Sequence, residues 1–117
     1  MSTVGPEEPG PEDIKIITLA RSARARVAAA EGAAVRDETG RTYAAAAVAL
    51  PSLRLSALAL AVAMAVSSGA DSLEAAALVS DGAEPDPADI AAVRELGPAA
   101  VVFLSAPDGT VLATLRP

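Results

Sequence analysis

The fold is decided by the stretch LRLSALALAVAMAVSSG, which occupies positions 53–69. It has no acidic residue and its apolar side chains recur around the whole helical circumference, which predicts a central helix covered on nearly every face. Pro51 and Ser52 are expected to open this helix, with Ser52 as its N-cap. The helix is expected to run to about Ser68 and to stop at Gly69.

The flanking segments predict a regular alternation of helices and strands. Helices are predicted over 12–30 and 86–96, and strands over 32–35, 41–50, 73–79, 100–104 and 111–115. The turn Asp37–Gly40 joins the first two strands into a hairpin, with Gly40 at a position that suits a positive φ. The order α-β-β-α-β-α-β-β predicts an α/β fold, a three-layer α/β/α sandwich around a five-stranded mixed sheet. Residues 1–11, rich in Pro, Gly and Glu, predict a mobile tail, and residues 12–117 predict one domain.

The composition predicts a protein that associates with other subunits. Apolar residues make up 52% of the chain and aromatic residues 2%, so the core must be built from Ala, Val, Leu and Ile. Such a core buries little area per residue, and we expect the remaining apolar surface to be covered between subunits. A homo-oligomer, dimer or tetramer, is therefore expected, with an unknown protein partner as another possibility.

Charge and hydropathy argue against nucleic acid and membrane as partners. The net charge is −6, and the basic residues Lys15, Arg21, Arg24 and Arg26 lie on one predicted helix that starts with acids, which is typical of a solvated face. The longest uncharged stretch, Leu55 to Ala70, is too short for a comfortable membrane span. The N-terminus has no signal-peptide pattern and the chain has no cysteine, which together favour the cytoplasm.

The chain contains neither histidine nor cysteine. This removes the commonest general base, the best thiol nucleophile and the two usual zinc ligands. We therefore predict no metal and no other cofactor, and any chemistry would depend on carboxylates, hydroxyls, Lys15 or Tyr43.

Four segments together resemble the cytidine deaminase family. Positions 31–43 are similar to the family's V-G-A-A-L…D-G-x-x-Y hairpin, and 53–69 fall without gaps on its L-T-x-C-A-E-R-x-A-x-x-x-A-x-x-x-G helix. Positions 85–89 fall on P-C-G-x-C, and 94–97 keep the register. The resemblance implies a cytidine deaminase-like fold over about residues 13–115.

The same resemblance implies a degenerate site. The family's three zinc ligands correspond to Ser56, Asp86 and Asp89, and its proton-shuttling glutamate corresponds to Leu58. Its N-V-E segment, which holds the ribose, is Ala47-Val48-Ala49 here. We predict that no residue of this chain is catalytic, substrate-binding or metal-binding.

Each of these residues also has a structural interpretation. Asp86 and Asp89 form either a clamp for a hard metal or, more simply, the N-cap and third position of a helix that Pro87 opens. Ser56 is either a nucleophile or a hydroxyl bonded to its own helix, and Leu58 is a core side chain. The acidic run Asp81, Glu84, Asp86 and Asp89 is typical of a solvated loop and would repel anionic nucleotides.

The sequence thus indicates a catalytically inactive cytidine deaminase-like protein that acts through association with itself or with a partner. One alternative is a nucleoside-binding sensor without turnover. Another is a functional cytidine deaminase, a zinc-dependent hydrolase in the family, which here would have to use unusual groups.

Overall fold

A computed structural model describes residues 2–4, 9–82 and 84–117 of the chain, with backbone alone for Ser2–Val4. The helices are α1 (Pro11–Arg26), α2 (Ala57–Ser67) and α3 (Pro87–Leu96). The strands are β1 (Ser2–Val4), β2 (Glu31–Asp37), β3 (Thr42–Ala46), β4 (Val48–Leu50), β5 (Leu53–Leu55), β6 (Leu73–Ser80), β7 (Val101–Ser105) and β8 (Val111–Arg116). None of the helices in these described ranges is long and apolar enough to cross a membrane.

The main sheet has the strand order β1-β8-β7-β6-β2-β3. Strands β6 and β7 are parallel, and the other neighbouring pairs are antiparallel, so the sheet is mixed. The core on one face contains residues of α1, and the core on the other face contains residues of α2 and α3. The predicted three-layer sandwich and the five strands β8, β7, β6, β2 and β3 are confirmed.

Strand β1 adds a sixth strand where a mobile tail was predicted. Ser2, Thr3 and Val4 pair with β8 in antiparallel register, and α1 begins at Pro11. The edge of β8 offers backbone partners to this segment, and the mobility of residues 1–11 stays a prediction. Positions 1 and 5–8 of the predicted tail lie outside the described residues, and the single domain over 12–117 stays a prediction.

Helix α1 lies very close to the sheet because β2 carries glycine at the contact. A Cβ built on Gly32 would lie 2.0 Å from the carbonyl oxygen of Ala20 and 2.8 Å from the Cβ of Arg24. Ile16, Ile17 and Ala20 are buried on the same side of the helix. Any side chain at position 32 would therefore push α1 away from the sheet.

The start of α2 differs from the prediction. Pro51 and Ser52 form the turn of a short hairpin in which Val48, Ala49 and Leu50 pair with Leu55, Arg54 and Leu53. Ser52 is exposed, and the N-cap is Ser56, four positions later. The prediction failed because two strands of three residues are too short to give a clear periodicity.

Helix α2 is buried on one side only. Ala57, Leu58, Ala61 and Ala65 are fully buried against the sheet. The opposite side carries uncharged side chains that are exposed or half-buried, and we call it the α2 outer face: Leu60, Ala63, Met64, Val66 and Ser67. The prediction that nearly every face is covered is wrong, because the described chain supplies no layer above this helix.

Candidate functional site

The residues that the resemblance singles out lie at the first turns of α2 and α3 and in the segment that leads to α2. Ser56 precedes α2 with extended backbone, and its hydroxyl oxygen accepts a hydrogen bond from the backbone N–H of Ala59 at 3.2 Å. Its carbonyl accepts the N–H of Leu60 at 3.1 Å. Ser56 is thus the N-cap of α2, and its side chain is bonded to its own helix as predicted.

Leu58 is a core residue. Its exposed fraction is 0%, and it belongs to the same hydrophobic cluster as Ile90 and Val93 of α3. The first turn of α2 and the body of α3 therefore share one core. An apolar side chain with this burial contributes on the order of 2 kcal/mol to folding, and it can neither take up nor donate a proton.

Asp86 and Asp89 start α3. The Asp86 carboxylate accepts the backbone N–H of Ala88 at 2.9 Å, and its carbonyl accepts the N–H of Asp89 at 2.9 Å. Pro87 occupies the first position of the helix and Asp89 lies in the first turn. The predicted cap is confirmed, and each carboxylate also complements the positive end of the helix dipole.

Ala47 and Ala49 are placed in different surroundings. Ala47 is half-buried and packs against the cluster that contains Leu58, whereas Ala49 is exposed on the hairpin, paired with Arg54. The structure therefore places Ala47 beside the core of α2 and leaves Ala49 outside it. Neither residue has a polar side-chain atom.

The acidic residues around α3 do not form a metal-binding group within the described part of the chain. No three His, Cys, Asp or Glu side chains there are grouped closely enough to hold a metal ion. Asp81, Glu84 and Asp86 are exposed, and Asp89 is half-buried.

The most heavily bonded carboxylate is one that the sequence did not single out. Asp37, 2% exposed, accepts hydrogen bonds at its Oδ1 from the Thr39 N–H at 2.9 Å, the Thr39 hydroxyl at 2.7 Å and the Arg41 N–H at 3.0 Å. The Tyr43 hydroxyl donates to Oδ2 at 2.9 Å. The D-x-T-G spacing is typical of an Asx turn and could have indicated this cluster. From it we predicted only the turn and not the four hydrogen-bond donors to Asp37.

The bonds at Asp37 shift two pKa values. Burial raises the pKa of the Asp37 carboxyl, but the hydrogen bonds from Thr39, Tyr43 and Arg41 together lower it by more, so it lies below the ordinary value of 3.8. The hydrogen bond to Asp37 raises the pKa of Tyr43, and burial adds to that shift. Both groups keep their ordinary charge at neutral pH, which indicates a structural turn.

The comparison with family models identifies the fold. The model described as "Cytidine deaminase-like" matches residues 9–109. The chain belongs to the cytidine deaminase-like family. No curated protein matches the chain in sequence.

Two solved structures share the fold of this cytidine deaminase-like chain. A cytidine deaminase from Burkholderia pseudomallei is 24% identical, with a TM-score of 0.76 over 87% of this chain and 90% of that one. A cytidine deaminase from Mycobacterium leprae is 20% identical, with a TM-score of 0.66 over 90% of this chain and 94% of that one. At these identities the likeness shows the common fold.

Proposed function

We propose that this cytidine deaminase-like chain has no deaminase activity and acts by associating with copies of itself through the α2 outer face. Two lines of argument support the proposal. The positions that correspond to the family's catalytic groups hold side chains with structural roles, and the helix that begins there presents an uncharged surface.

The donor set does not fit zinc. Ser56, Asp86 and Asp89 offer a hydroxyl and two carboxylates, whereas zinc sites in proteins are built mainly from cysteine and histidine. The Ser56 hydroxyl already accepts the Ala59 N–H, and the Asp86 carboxylate already accepts the Ala88 N–H. Recruiting either oxygen to a metal would cost a helix cap, worth about 1 kcal/mol.

The proton shuttle and the substrate contacts have no replacement at the corresponding positions. Leu58 is fully buried and has no titratable group, so it cannot perform general acid–base catalysis. Ala47 and Ala49 offer no side-chain hydrogen bond to a nucleoside. These residues disfavour turnover and also disfavour a nucleoside sensor.

The observation that carries the association is the α2 outer face. Met64 is 36% exposed and Val66 55% exposed, and α2 has no acidic residue in its first turn and no basic residue in its last. Exposed apolar surface of this kind is typical of a protein–protein interface. A net charge of −6 makes copies of the chain repel one another, so an uncharged face is where two copies can approach.

Light scattering on the purified chain, with and without a charge on this face, tests the proposal. We expect the wild type at micromolar concentration to have a mass at least twice the 11.6 kDa of one chain. Met64→Glu should shift it toward the monomer, because burying the unpaired carboxylate costs several kcal/mol.

The matched control is Ile14→Glu, which places the same charge on an exposed apolar residue of α1, on the other side of the sheet. It should leave the mass unchanged. A wild type that is strictly monomeric, or an equal response to the two substitutions, would contradict the proposal.

A further inference from the structure

A cavity of about 270 Å³ lies on the α1 side of the sheet, between that helix and the turn that joins β7 to β8. We call it the α1 cavity. Three aliphatic residues line it: Ile17 and Val111 are buried, and Ile14 is 51% exposed. Two side chains of opposite charge, Arg21 and Asp108, line it as well. The α1 cavity shares no residue with the α2 outer face or with the starts of α2 and α3.

The turn beside the α1 cavity is closed by its own hydrogen bonds. The Ala106 N–H donates to the Thr110 carbonyl at 2.8 Å, and the Gly109 N–H donates to the Ala106 carbonyl at 2.9 Å. The Asp108 Oδ1 accepts the Thr110 N–H at 2.8 Å. Hydrogen bonds from Thr110 lower the pKa of the Asp108 carboxyl below its ordinary value of 3.8, and the charge of Arg21 adds to that shift. Asp108 is therefore negative at neutral pH, and an ionised carboxylate can accept further donors.

The Arg21 side chain lies across this turn. Its Nε donates to the Pro107 carbonyl at 3.1 Å. A Cβ at position 109 would lie 3.2 Å from the Arg21 Nη1 and 3.3 Å from its Cδ, so glycine at this position lets the guanidinium lie against the backbone. Among the described residues the Arg21 side chain has no other hydrogen-bond partner. Its Nη donors are therefore held in place and left for a ligand.

Arg21 and Asp108 line the same cavity but form no ion pair with each other. The ion pairs found in the part of the chain that the structure describes all involve Arg36. Asp108 would repel a ligand that carries only negative charge, and Arg21 would repel one that carries only positive charge. A ligand with both charges side by side satisfies both groups, and the aliphatic lining requires an aliphatic part next to those charges. A free α-amino acid with an aliphatic side chain has all three features.

We propose that the α1 cavity binds a free aliphatic α-amino acid, with its carboxylate on Arg21, its ammonium group on Asp108 and its side chain against Ile17 and Val111. A guanidinium and a carboxylate pair through two parallel hydrogen bonds, which fixes the orientation of the ligand. The volume of the cavity lies just below the range of about 300–1,000 Å³ that is typical of sites for larger ligands, which suits a ligand of this size. The site is separate from the proposed self-association, and neither depends on the other.

Titration of the chain with L-leucine, followed by amide chemical shifts in NMR, tests the site. We expect saturable shifts at Ile17, Arg21 and Gly109 with a dissociation constant of about 1 mM or lower. Arg21→Gln and Asp108→Asn should each weaken binding about tenfold, because each removes one charge that pairs with the ligand. The Asn side chain keeps an oxygen that accepts the Thr110 N–H, so Asp108→Asn leaves the turn closed.

Two analogues of leucine, each lacking one charge, assign the two contacts. Leucinamide has no carboxylate and N-acetyl-leucine has no ammonium group, and both should bind the wild type about tenfold more weakly than leucine. Arg21→Gln should not weaken the binding of leucinamide further, and Asp108→Asn should not weaken that of N-acetyl-leucine further, because the partner charge is already missing. If each variant instead weakens both analogues as much as it weakens leucine, the assignment of the contacts is overturned.

The matched controls are Arg26→Gln on the same helix and Asp81→Asn, which remove the same charges at exposed positions outside the α1 cavity. Both should bind leucine like the wild type. An absence of saturable shifts up to about 10 mM leucine would overturn the proposal. The same conclusion follows if the two controls weaken binding as much as the two cavity variants do.

Discussion

At the scale of single residues, one buried carboxylate fixes the turn between β2 and β3. Asp37 receives hydrogen bonds from Thr39, Arg41 and Tyr43, and the Gly40 φ of 88° lets the chain close around it. A buried carboxylate is tolerated because its oxygens are satisfied by these donors. Protonation of the Asp37 carboxylate would weaken several of these hydrogen bonds at once.

Stability should therefore fall in acid through Asp37. Because the pKa of Asp37 is lower in the folded chain than its ordinary value of 3.8, its contribution is present above that value and is lost as the pH falls through the folded pKa. Asp37→Asn should be less stable than the wild type at pH 7, and the difference should shrink in acid. Urea unfolding between pH 2 and pH 7 measures both curves.

The control for this titration is Asp81→Asn, which removes an exposed carboxylate. It should follow the wild-type curve. A constant difference between Asp37→Asn and the wild type across the whole pH range would show that Asp37 does not supply the acid dependence.

At the scale of elements, the start of α2 shows what the sequence could and could not predict. The existence of the helix follows from the apolar run that ends at Gly69. The predicted end near Ser68 agrees with the structure, in which Ser68 is the C-cap of α2. Its start was placed four residues early, because Ser52 after Pro51 is as good a cap signal as Ser56. The choice between them depends on cross-strand pairing of Val48 with Leu55, which local propensity does not encode.

Other contacts join segments that no local pattern connects. Strand β1 pairs with β8, more than a hundred positions away, and Arg94 of α3 donates hydrogen bonds to the carbonyls of Ala100 and Leu115. Burial lowers the pKa of Arg94, which fits a guanidinium that holds carbonyls instead of a carboxylate. The cap at Asp86 was predictable because all of its partners are local.

The two cap candidates can be separated by stability. Ser56→Ala should lower the free energy of unfolding by about 1 kcal/mol, because the Ala59 N–H loses its acceptor. Ser52→Ala, in the exposed turn between β4 and β5, should change it by less than about 0.5 kcal/mol. Urea denaturation of both variants measures the two free energies of unfolding. A larger loss of stability for Ser52→Ala than for Ser56→Ala would mean that α2 begins after Ser52, as predicted from the sequence.

At the scale of the whole molecule, two capped helices and one buried leucine stabilise the cytidine deaminase-like fold at the positions proposed to be degenerate. The N-caps Ser56 and Asp86 satisfy the starts of the two helices, and Leu58 fills the core beneath them. The fold class followed from element order and glycine positions. The hairpin of β4 and β5 and the exposed α2 outer face did not, because they depend on what each side chain packs against.

A spectrophotometric cytidine assay decides whether this chain, as proposed, lacks deaminase activity. The chain, expressed and assayed with added zinc, is mixed with cytidine, and the loss of cytidine absorbance is followed over hours. We expect a rate equal to that of buffer with zinc. A loss proportional to protein concentration, abolished by a zinc chelator or by Ser56→Ala, would contradict it.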